Sequence, residues 1–187
     1  MQILTFLYFA YGSNLLAERI HINNPTAVRK GVGLLENYRL DFSGYARRWR
    51  GAPATIVPDN QAHVWGAIWE IDKSNLPDLD RQEGVDVNHY FSLDVDVKSP
   101  DGKIFKCRVY QQCNNPKESL DVSNLPSDRQ PSYSYLSTII AGAQESGIPS
   151  DYINFLKSIK HNGFIGELTF GNISLTNELS TTTLSPN

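Results

Sequence analysis

Apolar and polar positions alternate cleanly between Phe91 and Val97, with Phe91, Leu93, Val95 and Val97 on one face and Ser92, Asp94 and Asp96 on the other. That period of two predicts a half-buried strand. Ser99, Pro100, Asp101 and Gly102 then supply a turn, and a return strand sets Phe105, Cys107 and Val109 against Lys106 and Arg108. A hairpin loop of about five residues brings Asp96 opposite Lys106 and Asp94 opposite Arg108, each pair adding ~0.2–1 kcal/mol. It also turns Cys107 inward. Residues 3–11, rich in Leu, Phe and Tyr, read as a buried strand that stops at Gly12-Ser13-Asn14, with a short helix following from Leu15. Further strand-like stretches cover 28–35, 38–43, 54–57 and 64–71, separated by segments holding Gly, Pro or Asn.

Helical spacing appears in three places. Residues 75–82 have Asn75 as the expected N-cap, Pro77 in the first turn and Gly84 as the stop, and place Leu76 and Leu79 on one face with Glu83. A second helix is expected over 133–145, ending at Gly147-Ile148-Pro149. A third begins with Ser150 as cap and spaces Tyr152, Phe155, Leu156 and Ile159 along one face. From Gly171 onward Ser, Thr and Asn leave little to bury, so a disordered or loosely held tail is expected over 171–187. The helices are too few to alternate with the strands as in a doubly wound sheet. The pattern predicts a single α+β domain over 1–170 around a closed or nearly closed β-barrel.

Composition narrows the function classes. A chain of 187 residues with 40% hydrophobic content supports one core. A net charge of -3 and a pI near 5.8 provide no basic face for nucleic acid or an anionic membrane, which leaves small-molecule chemistry or protein contact. The apolar residues 1–10 lack a basic flank and a small-residue cleavage site, and so read as a strand rather than a signal peptide. No other stretch approaches the length of a spanning helix, and a soluble protein is expected. The two cysteines, Cys107 and Cys113, are not spaced as a CxxC pair and suit a reducing compartment. The four histidines form no HxxxH or HxH pair, so no metal is expected.

Two segments could carry chemistry. The strand end Tyr11-Gly12-Ser13-Asn14 exposes backbone N–H groups at a turn where glycine permits close approach, an arrangement that holds carboxylates and phosphates, although ordinary turns share it. Ser13 lacks the G-x-S-x-G surroundings of an activated nucleophile. Glu83 ends an apolar helix face, where burial and the helix C-terminus both raise a carboxyl pKa and suit it to taking and returning a proton. A solvated residue at a fraying helix end is the competing description.

Four segments occur together and in order: Tyr8-Phe9-Ala10-Tyr11-Gly12-Ser13-Asn14-Leu15, Gly51-Ala52-Pro53-Ala54-Thr55-Ile56, Val64-Trp65-Gly66 and Leu79-Asp80-Arg81-Gln82-Glu83-Gly84-Val85. In them the chain closely resembles the γ-glutamylcyclotransferase family, and the similarity runs from about Phe6 to the third helix. The resemblance implies an α+β fold, a small mixed β-barrel with flanking helices and a cavity at the end of the first strand, and a reaction that releases 5-oxoproline from γ-glutamyl amino acids without a cofactor. It implies Glu83 as the catalytic acid/base, Tyr8, Phe9, Ala10, Tyr11, Gly12 and Ser13 as the substrate-binding segment, and a substrate-contacting tyrosine at Tyr135 or Tyr133. A small γ-glutamyl substrate, a place in glutathione-related metabolism, a cytoplasmic location and a homodimer follow from the resemblance alone. A γ-glutamylamine-directed or glutathione-directed cyclotransferase and a non-catalytic interaction protein on the same barrel are the alternatives. Gly51-Ala52 stands where the family often shows two glycines. Arg47, Arg48 and Arg50 form either a site for a second substrate carboxylate or a solvated basic loop. His89 either tunes Glu83 or is an ordinary loop histidine.

Overall fold

Five strands close on one another in the computed structural model, which describes residues 4–170 and, for the backbone alone, 173–175. β1 (Thr5–Ala10) pairs antiparallel with β3 (Ala54–Asp72), from Thr5↔Asp72 to Ala10↔Ala67. On its other edge it runs parallel to β5 (Ile104–Gln112), with Tyr8 beside Arg108. β2 (Val28–Phe42) runs antiparallel along β3 from Val28↔Glu70 to Phe42↔Ala54 and meets β4 (Tyr90–Lys98) at Leu34↔Lys98. The β4–β5 hairpin completes the order β1-β3-β2-β4-β5. The parallel β1–β5 junction makes the barrel mixed, as the family resemblance implied.

Two pairs of expected strands are continuous. Residues 28–35 and 38–43 merge into β2, and residues 54–57 and 64–71 merge into β3. The reason is a bulge: the register jumps between Glu36↔His63 and Tyr38↔Pro58, with Asn37 at a φ of 64°. Pro58 and the polar residues after it resemble a loop in sequence, but pairing on both sides of the irregularity keeps the backbone extended.

The hairpin register is the expected one, with Asp96 opposite Lys106, Asp94 opposite Arg108, and Cys107 fully buried. Lys106 lies 3.4 Å from Asp96. Arg108 departs from the expected pairing and reaches Asp80 at 2.6 Å.

The helices stand around the barrel. A 3₁₀ turn (Ser13–Leu15) precedes α1 (Ala17–His21), so the helix expected from Leu15 begins two residues later. α2 (Leu76–Gln82) has Asn75 at its N-cap position, but the Asn75 side chain accepts the Thr26 hydroxyl at 2.5 Å instead of capping the helix. Gly84 ends it at a φ of 65°. Ser132 caps α3 (Tyr133–Ser146), accepting the Tyr135 N–H at 3.0 Å. α4 (Ser150–Ser158) has Pro149 rather than Ser150 as its N-cap residue. None of the described helices is long and apolar enough to cross a membrane.

Two close approaches bring α3 against the first turn and β3 against the end of β1. A Cβ on Gly142 would lie 2.4 Å from the Leu16 nitrogen, and one on Gly66 would lie 2.5 Å from the Ala10 carbonyl and 2.6 Å from the Phe9 ring. Glycine lets these backbones meet where a side chain would force them apart. β6 (Leu168–Phe170) pairs with the backbone of β7 (Ile173–Leu175); the expectation for the rest of the tail falls outside the described residues.

Candidate active site

A cavity of about 1030 Å³ opens where β1 runs out. Its wall includes Tyr8 on β1, Tyr11, Gly12 and Ser13 at the strand end, Glu83 at the end of α2, and Tyr135 on α3. Leu15 and Leu16 close the turn by donating their N–H groups to Gly12 O at 3.0 Å and Ser13 O at 3.1 Å. The N–H groups of Gly12 and Ser13 have no acceptor among the described hydrogen bonds, so they remain available to an anion in the cavity.

Glu83 follows the last residue of α2 and donates its N–H to Leu79 O at 3.0 Å. Leu79 is fully buried beneath it, whereas Leu76 is only half-buried. Glu83 keeps some contact with water through the cavity mouth, but protein surrounds the carboxyl group. Burial pushes its pKa from an ordinary 4.5 up to about 7; Arg19 opposes the rise and Asp80 adds to it. Both its protonated and ionised forms are therefore accessible near neutral pH.

Side-chain amides hold the end of α2 against the first turn. Gln82 donates to Asn14 Oδ1 at 3.3 Å and accepts from Asn23 and Asn24 at 3.2 and 3.3 Å. Asn14 in turn donates to the Tyr8 hydroxyl at 3.1 Å. One turn earlier on α2, Asp80 accepts from Arg108 at 2.6 Å and from the Tyr110 hydroxyl at 2.5 Å. Because these bonds join β1, β5 and α2, the position of Glu83 is set by the barrel as well as by its own helix.

Phenols line much of the remaining wall. Tyr11 donates to Tyr110 O and Tyr90 to Ala54 O, both at 2.6 Å. Tyr135 accepts the Ala54 N–H at 3.1 Å. Burial raises the pKa values of Tyr8, Tyr11, Tyr90 and Tyr135, which keeps them neutral hydroxyls suited to hydrogen bonding.

The structure thus brings Tyr8, Tyr11, Gly12, Ser13, Glu83 and Tyr135 to one cavity. Phe9 and Ala10, expected in the same segment, are fully buried and do not line it. Strand alternation turns the Phe9 ring over Gly66. Tyr133 packs against His161, with ring centroids 5.0 Å apart, and lies off the cavity wall. Arg47, Arg48 and His89 are exposed at the rim, while Arg50 stacks over Phe164. Ala52 accommodates its methyl group, but a Cβ on Gly51 would lie 2.5 Å from the Ser132 nitrogen.

Residues 63–156 match the AIG2-like family. The chain is 41% identical over 169 residues to the γ-glutamylcyclotransferase of Bos taurus and 40% identical to that of Homo sapiens, in each case covering 88% of this chain and 84% of the relative. The chain belongs to the γ-glutamylcyclotransferase family. A solved structure of a γ-glutamyl cyclotransferase superposes with a TM-score of 0.80 at 38% identity, over 89% of this chain and 94% of that one.

Arg19 is among the residues of this γ-glutamylcyclotransferase cavity that sequence reading did not mark. Arg19 on α1 is 2% exposed, faces the cavity, and has no partner among the described residues for its buried Nε and Nη1. Its guanidinium stacks 4.2 Å from the centroid of the Phe170 ring and 5.6 Å from that of Trp49. Between Glu18 and His21 it reads as part of a solvated helix. Its spacing of four from the buried Leu15 was the signal that it faces inward. Asp80 and Arg108 were missed because only the β1–β5 junction brings α2 and β5 to the same place.

Proposed function

We propose that this γ-glutamylcyclotransferase releases 5-oxoproline and a free amino acid from γ-glutamyl amino acids, with Glu83 as the acid/base. The observation that carries this reading is a carboxyl group with a pKa of about 7 at the same cavity as an open backbone turn, in a chain of this family. Glu83 in its carboxylate form removes a proton from the substrate's α-ammonium group. The freed amine attacks the substrate's own γ-carbonyl carbon, the new C–N bond closes a five-membered lactam, and the old amide C–N bond breaks. The departing amine takes that proton back from Glu83, and the second proton shed by the attacking nitrogen as it becomes the lactam N–H passes to the released amine, which leaves as an ammonium. Proton and electron counts close without a cofactor, and a pKa near neutrality suits a group that must act in both directions. Holding nitrogen and carbon about 3–3.5 Å apart in a folded glutamyl chain contributes much of the rate.

The free N–H groups of Gly12 and Ser13 support an anion-holding role for the turn, and Tyr8, Tyr11 and Tyr135 would shape the pocket around the glutamyl chain. The family resemblance supports a cytoplasmic homodimer acting in glutathione-related metabolism, and two free cysteines agree with a reducing compartment.

The test is turnover of γ-glutamyl-alanine in heavy-oxygen water. Cyclisation yields 5-oxoproline with no solvent oxygen in the lactam carbonyl, and acetylating the α-amine abolishes the reaction because an amide nitrogen is too poor a nucleophile. Labelled glutamate as the first product, or brisk turnover of the acetylated substrate, would rule the mechanism out.

A further inference from the structure

We infer that Arg19 is the specificity-determining counter-ion for the carboxylate of the amino acid being released, so that the cavity selects γ-glutamyl amino acids over γ-glutamyl amines. This rests on the cyclotransferase reading and adds to it the residue that recognises the released amino acid's carboxylate.

A guanidinium that is 2% exposed, with two buried nitrogens, Nε and Nη1, that have no partner among the described residues, is costly unless an anion completes it. Glu83 does not do so. The two groups sense one another across the cavity, each favouring the other's charged form, but form no ion pair within 4.0 Å among the described residues. Desolvation lowers the Arg19 pKa to about 10, which still leaves it cationic at neutral pH.

A γ-glutamyl amino acid carries two carboxylates, and the cavity wall holds two donor groups for them. The backbone N–H groups of the Gly12–Ser13 turn form one, at the foot of β1. Arg19 forms the other. It shares the Phe170 ring with Arg48, whose guanidinium lies 5.2 Å from the same centroid and is exposed at the rim. The positive wall therefore runs from the buried Arg19 outward to the mouth, the direction in which the released amino acid departs, while the glutamyl group occupies the reacting end beside Glu83 and the turn. A planar guanidinium with free N–H groups suits a carboxylate. Against an amine leaving group the same N–H groups would stay buried and unpaired, and a site built for a polar partner discriminates strongly against the analogue that lacks it.

Three substrates separate the possibilities. γ-Glutamyl-ethylamine is γ-glutamyl-alanine without the released carboxylate, and 4-aminobutanoyl-alanine lacks only the glutamyl carboxylate and cyclises to 2-pyrrolidinone. Wild-type protein should prefer γ-glutamyl-alanine to γ-glutamyl-ethylamine by roughly 10- to 100-fold in kcat/KM. Arg19→Met should shrink that preference to within about threefold and leave discrimination against 4-aminobutanoyl-alanine in place. Removing Arg19 also shifts the titration of Glu83, but this acts on every substrate and cancels in the ratio. A binding measurement independent of the variant's folding compares the α-N-acetylated forms of γ-glutamyl-alanine and γ-glutamyl-ethylamine on wild-type protein by calorimetry, where the acid should bind at least about 10-fold more tightly. Equal wild-type turnover of alanine and ethylamine substrates, or an unchanged ratio in Arg19→Met, or a loss confined to the comparison with 4-aminobutanoyl-alanine, would overturn the assignment of Arg19 while leaving the cyclotransferase reading intact. If the wild type makes 5-oxoproline from neither glutamyl substrate, both fall together.

Discussion

The Tyr135 hydroxyl accepts the backbone N–H of Ala54 at 3.1 Å, which ties the first turn of α3 to the first residue of β3 inside the cavity wall. The same ring lies 4.3 Å from Trp49 between centroids, and its hydroxyl would be 3.5 Å from a Cβ on Gly12. One side chain thus supports the strand, the basic loop and the turn.

Tyr135→Phe keeps the ring and removes the acceptor, leaving the Ala54 N–H buried and unpaired. The expected loss is about 1–3 kcal/mol of stability, read from denaturant unfolding with the slope unchanged. Activity should fall by roughly tenfold or more as the wall beside the turn loosens. An unchanged unfolding midpoint would show that the Tyr135 hydroxyl does not support β3.

Glu83 should cost the fold stability at the pH where it works. Its folded pKa of about 7 lies above its ordinary 4.5, so between those values the folded protein binds more protons than the unfolded chain, and stability falls as pH rises through that window. Glu83→Gln carries no such proton. The variant should match the wild type near pH 4 and exceed it at pH 8 by on the order of 1–3 kcal/mol, the smaller figure applying if water at the cavity mouth screens the charge. Its turnover should drop by on the order of 10²–10⁴, since an amide cannot accept the ammonium proton. Parallel stability profiles for the two proteins across this range would contradict the placement of the carboxyl, and near-normal kcat would contradict its role.

Asp80 contributes to the raised pKa of Glu83 and is itself held by Arg108 and the Tyr110 hydroxyl. Asp80→Asn retains an oxygen acceptor but removes the negative charge and leaves Arg108 uncompensated, and both changes favour ionised Glu83. The acidic limb of kcat/KM against pH, expected near 7 in the wild type, should move to lower pH, so that activity at pH 6 relative to the plateau rises by about two- to fivefold. A limb that stays in place or moves upward would show that Asp80 does not act on Glu83 through charge.

Local chemistry made much of the barrel legible before any coordinates. Alternation between Phe91 and Val97 determined the β4–β5 register down to Asp96 opposite Lys106, because a one-residue slip would turn every apolar side chain to water. Glycine at 84 and the capping Ser132 marked helix boundaries for backbone reasons that act within a few residues. The run from Tyr8 to Ser13 and Glu83 were marked as a site by the family resemblance, since the local patterns of a strand end and an apolar helix face fit an ordinary turn and a solvated helix end as well. Only the tertiary structure decided which residues of that run face the cavity, turning Tyr8 and Tyr11 toward it and Phe9 toward Gly66. It alone joined the stretches on either side of Pro58 into one strand, because the partner β2 continues past the bulge. It also decided the charges around Glu83: Arg19 faces inward because α1 packs beside Trp49 and Phe170, and Arg108 turns from Asp94 to Asp80 because α2 lies across the β1–β5 junction. Electrostatic partners are set by distances between segments far apart in the chain, and those distances exist only once the barrel has closed.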